Sequence, residues 1–81
     1  MKPTFRIVSR IYEGTDRYPV VVHVFYGRTR DIAERVFKAH QQTDSFLRGC
    51  MQGGFKKINC HEEHETETLQ GTRWVRVYAP R

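Results

Sequence analysis

The side chains able to do chemistry in this 81-residue chain gather in one run, Cys60-His61-Glu62-Glu63-His64, with Cys50 ten residues upstream. Thiolates and imidazoles are zinc ligands, so a site of Cys50, Cys60, His61 and His64 can be drawn. Its spacing argues against it. The two cysteines lack the short separation of a zinc knuckle, and His61 and His64 stand three apart where the helical zinc-protease pair needs four. A Cys–His nucleophile pair is a second reading of the run, but no orienting third residue and no oxyanion-forming segment accompany it. His23 and His40 fall on apolar patterns and read as core-edge side chains. Gly53-Gly54 leads into a strand pattern, whereas phosphate-cradling glycines lead into a helix. The expectation is a protein with no metal, no cofactor and no catalytic site.

A second set of residues points to binding. The chain has 14 Lys and Arg against 9 Asp and Glu, a formal net charge of +5, and ten of the 14 are Arg. Arg is favoured at interfaces and on phosphate, although a GC-rich genome, which encodes Arg often, would give the same bias. Aromatic residues stand among these arginines: Arg6, Arg10 and Tyr12 in one run, Trp74, Arg76 and Tyr78 in another. Whether they share a surface depends on the elements that carry them.

Eight Val and four Ile against two Leu favour a strand-dominated domain. FRIVSRIY at 5–12 alternates with period two, and Glu13 to Arg17 is turn chemistry. PVVVHVFY at 19–26 is the strongest strand signal, apolar on both faces, and so is expected at the centre of the sheet. Thr29 or Asp31 can cap a helix. From there Ile32, Ala33, Val36, Phe37, His40 and Leu47 form one stripe over a helix of roughly residues 30 to 48, with Gly49 as a stop. FKKINC at 55–60 is a third strand, followed by an acidic stretch at 61–67 that reads as a solvated loop or strand end. After a turn at Gln70-Gly71-Thr72, RWVRVYA at 73–79 is the fourth strand, ended by Pro80.

The expected fold is therefore α+β: a single domain over 1–81, ββαββ, with one helix on one face of a four-stranded, mainly antiparallel sheet. A helix of about 18 residues spans ~27 Å, enough to cover one sheet face. Phe5, Ile7 and Ile11, with Val75, Val77 and Ala79, are assigned to the helix side, because Arg6, Arg10 and Arg76 are hard to bury unpaired. The opposite face then holds Arg6, Val8, Arg10, Tyr12, Trp74, Arg76 and Tyr78, together with one of the two faces of the second strand. Trp, Tyr and Arg are the residues enriched in interface hot spots.

This face supports two readings. The first is a non-catalytic module that docks onto a protein or ribonucleoprotein complex through Arg6, Arg10, Tyr12, Trp74, Arg76 and Tyr78. The second is direct nucleic-acid binding, with rings stacking bases and Arg holding phosphate. The aromatic-and-glycine motif of single-strand RNA readers is missing, and Glu62, Glu63, Glu65 and Glu67 would repel phosphate, so docking is preferred. In size and mixed charge the chain resembles the small accessory proteins of phages and mobile elements, on general character and without a diagnostic residue. That resemblance implies an inhibitor of a host nucleic-acid-handling or CRISPR-type defence complex. The uncovered face implies either a homodimer through it or a monomer that uses it for a partner. No apolar signal core and no run of ~20 apolar residues occurs, so a cytoplasmic protein with reduced thiols and no membrane contact is expected.

Overall fold

A computed structural model describes residues 3–43 and 60–78. Five elements follow in order: β1 (Phe5–Glu13), β2 (Val21–Gly27), α1 (Arg30–Thr43), β3 (Cys60–Gln70) and β4 (Arg73–Val77). The strands form one sheet in the order β2-β1-β3-β4 with every neighbouring pair antiparallel, and α1 packs on β2 and β1. This is the ββαββ α+β fold that the sequence predicts.

The core follows from period two meeting period 3.6. Ile7 and Ile11 of β1 and Phe25 of β2 point at Ala33 and Phe37 of α1, and all five are buried. The Phe25 and Phe37 rings lie 5.3 Å apart. Thr29 caps the helix: its hydroxyl accepts from the Ile32 N–H at 3.2 Å and its carbonyl from the Ala33 N–H at 3.1 Å. Ile32 and Val36, expected in the same stripe as Ala33 and Phe37, are 39% and 43% exposed. One residue is about 100° of helix turn, which carries this pair off the sheet-facing side. Residues 44–48 and the expected strand at 55–59 lie outside the described residues, as does Ala79.

Two expectations need correction. The apolar run 19–26 is an edge strand, not the central one, because β1 pairs with both β2 and β3. The acidic stretch 61–67 is the interior of β3, the longest strand, paired along its length with β1. Both have one cause. Arg6 and Arg10 of β1 need opposite charge beside them, and Glu63, Glu65 and Glu67 supply it at the same period of two. Cross-strand charge pairing can outweigh the low strand propensity of Glu. The β3–β4 hairpin closes through Gly71-Thr72, with Gly71 at φ +65° and no positive φ at Thr72, the pattern of a type II′ turn.

Candidate functional site

The register decides which side chains share the face away from α1. Arg6, Val8 and Arg10 of β1 lie beside Tyr26, Val24 and Val22 of β2 on one flank, and beside Glu67, Glu65 and Glu63 of β3 on the other. Arg76 of β4 stands opposite Glu67, and Trp74 opposite Leu69. Tyr12 stands opposite His61 and stacks on it, centroids 5.2 Å apart. Tyr78 follows β4 under the Arg76 guanidinium, 5.6 Å from ring centroid to Cζ. The six residues expected to share a face are brought together on it.

Their arginines are not open cations, however. Arg6 Nε donates to Glu67 Oε1 at 2.6 Å, Arg10 Nη1 to Glu65 Oε1 at 3.0 Å, and Arg76 Nε to Glu65 Oε2 at 2.9 Å. Glu65 thus joins strands β1, β3 and β4 through one carboxylate. With Glu63, three carboxylates balance three guanidiniums, and the face is formally neutral. The electrostatics of the fold agree. Residues 3–43 and 60–78 carry nine Lys and Arg against eight Asp and Glu, so most of the +5 belongs to the rest of the chain.

Rings cover this ladder. The Arg6 guanidinium lies 4.4 Å from the Trp74 ring centroid, and Trp74 meets Tyr26 edge-on at 5.9 Å. Tyr26 and Trp74 come from opposite edges of the sheet, three strand spacings of about 4.8 Å apart. Both rings therefore lean inward across β1 and β3, and the face curls beneath them. Tyr78 remains 76% exposed.

On the helix side, Ser9, Glu62 and His64 form a group that sequence reasoning missed. Ser9 Oγ donates to Glu62 Oε1 at 2.9 Å, and His64 Nδ1 lies 3.1 Å from the same oxygen. These are residue types of a hydrolase triad, wired differently. The serine bonds the carboxylate and not the imidazole, and Ser9 is fully buried, so no substrate reaches its hydroxyl. The group instead satisfies a carboxylate whose side chain is 4% exposed. Glu62→Ala is accordingly expected to cost about 2 kcal/mol by leaving Ser9 without its acceptor. Glu62→Gln, which keeps a carbonyl oxygen there, should restore most of that in urea unfolding.

Cys50 of the drawn zinc set lies outside the described residues, and the two histidines of the set are held apart. His61 and His64 are three apart in a strand and point to opposite faces, His61 to Tyr12 and His64 to Phe37. Among the described residues no group of three or more His, Cys, Asp and Glu is placed to hold a metal ion. Cys60 is disulfide-bonded, which corrects the expectation of reduced thiols and leaves no thiolate there for metal or nucleophilic chemistry. Disulfides persist in oxidising surroundings, so the cytoplasmic expectation loses the support of free thiols. No described helix is long and apolar enough to cross a membrane.

A cleft of about 560 Å³ opens where β4 stops short of β3, lined by Arg10, Tyr12, Glu63, Glu65 and Arg76 among others. Its walls are the ladder itself, and it lacks the apolar lining of a small-molecule pocket. Comparison with family models, with curated proteins and with solved structures finds no match.

Proposed function

We propose that this chain is a non-catalytic binding module that docks onto a protein surface, including the protein part of a ribonucleoprotein, through the ringed face of its sheet. One observation carries the reading: Arg6, Arg10 and Arg76 are already bonded to Glu67 and Glu65 on that face. A phosphate backbone would have to displace those carboxylates and would meet Glu63 as well. A protein partner would find half-buried Trp74, exposed Tyr78 and a neutral polar ladder, the composition of an interface centre with a polar rim. An inhibitor that works by occupying a host complex is one form of this activity, and it rests on the chain's general character alone.

The test is a pull-down from the native host with the full chain, partners identified by mass spectrometry and their affinity then measured. Trp74→Ala should weaken binding by about 2 kcal/mol, roughly thirtyfold, with the far-UV circular dichroism unchanged. Unaltered affinity in a folded Trp74→Ala variant would refute the docking face.

A further inference from the structure

β2 ends the sheet, with β1 its one neighbour among the described residues. An unpaired edge is a row of backbone donors and acceptors, which proteins usually guard with lysine, proline, a bulge or an inward charge. Val21–Gly27 reads VVHVFYG and has no charged residue and no proline, and its register against β1 runs without interruption.

Both rims of this edge are apolar. On the open face, Val20, Val22, Val24 and Tyr26 are 46%, 50%, 39% and 47% exposed. On the helix side, the orientation of α1 is fixed by its contacts. Arg30 lines a cleft with Thr66 and Val77, and Phe37 reaches His64, so that flank looks toward β3 and β4. His40 packs on His23 and Phe25 of β2. At 100° per residue Ile32 and Val36 fall on the flank of α1 away from Arg30, the side toward the outer edge of β2.

We propose that this edge pairs with the same edge of a second copy, antiparallel about a two-fold axis at Val24, making one sheet of eight strands. Three features select a second copy as the occupant. Residues 3–43 and 60–78 carry nine Lys and Arg against eight Asp and Glu, and Val21–Gly27 carries none of them, so two copies can meet there without setting like charges together. With Val24 facing itself, Val22 stands opposite Tyr26 twice on the open face, the Tyr26 ring turned inward to Trp74 and its Cβ left facing Val22, and His23 stands opposite Phe25 on the other. A slip of one residue would put these rows on the wrong faces. The same axis brings Ile32 and Val36 of the two helices toward each other, so both rims are matched by the symmetry itself. A foreign strand would satisfy the backbone without matching the rims. This pairing does not depend on the docking face proposed above, which centres on Trp74.

Sedimentation equilibrium of the full chain at high micromolar concentration tests it. The wild type should sediment at twice 9.6 kDa. Val24→Lys, which sets two ammonium groups face to face at the axis from an exposed position, should sediment as a monomer with unchanged circular dichroism. Val36→Glu gives an independent variant on the helix flank, with the same shift toward monomer expected, and Trp74→Ala should remain dimeric. The proposal is overturned by a monomeric wild type, including one that captures an unrelated β-strand peptide at β2. It is equally overturned by a dimer that survives both folded charge variants, or by one that only Trp74→Ala dissolves.

Discussion

Gly27→Ala is expected to lower unfolding free energy by about 3 kcal/mol or more, the upper end of overpacking effects. A Cβ at Gly27 would lie 2.3 Å from the Ala33 nitrogen, 2.8 Å from its Cα and 2.9 Å from the Thr29 carbonyl oxygen. All three are backbone atoms of the capped first turn of α1, so no side chain can rotate away. Relief requires the helix to lift, which uncovers Phe25 and Phe37 together. Gly14→Ala is the internal control. Gly14 has φ +57° and nothing within 4 Å of the added carbon, so its cost is the left-handed backbone alone, about 1–2 kcal/mol. Urea midpoints of the two variants separate close approach from backbone strain. Equal losses would mean that the helix does not sit on β2 as described.

The largest functional effect is expected from Glu65→Gln combined with Glu67→Gln. The pair of substitutions removes both carboxylates that hold Arg6, Arg10 and Arg76, while nearly isosteric amides keep the strand packed. The face gains two units of positive charge and three guanidiniums able to meet phosphate. Binding to single-stranded RNA should tighten, and the log–log salt slope should steepen by about 2, from roughly 0.7 for each freed arginine that contacts a phosphate. Fluorescence anisotropy across a salt series reads both. An unchanged slope in the folded double variant would show that the glutamates do not mask the arginines.

The sequence carried the element order, the α+β class and the face of each β1 and β4 side chain, because alternation in FRIVSRIY and RWVRVYA is unambiguous once Arg is kept out of the core. Strand order was less legible. Apolarity on both faces suggested a central place for 19–26, yet Val22, Val24 and Tyr26 stay exposed at the edge, while β1 is central with arginines on one face. The usable signal was present in the acidic run: Glu63, Glu65 and Glu67 recur at every second residue, a strand period, and answer Arg6 and Arg10. Hydrophobic patterning does not register a strand whose outward face is built from ion pairs. For the same reason the shared face of the six candidate residues is legible in the sequence while the neutralisation of their arginines is not. The Ser9–Glu62–His64 group joins positions 53 residues apart, and it becomes visible only when the β1–β3 register is known.

The affinity of the wild-type chain for single-stranded RNA and DNA at about 150 mM salt, where charges are screened beyond ~8 Å, tests the neutral docking face most directly. A face whose arginines are already paired predicts weak, sequence-independent binding at about 10⁻⁴ to 10⁻⁶ M. Submicromolar binding that Arg10→Ala or Arg76→Ala abolishes would contradict it and make the sheet face a nucleic-acid interface.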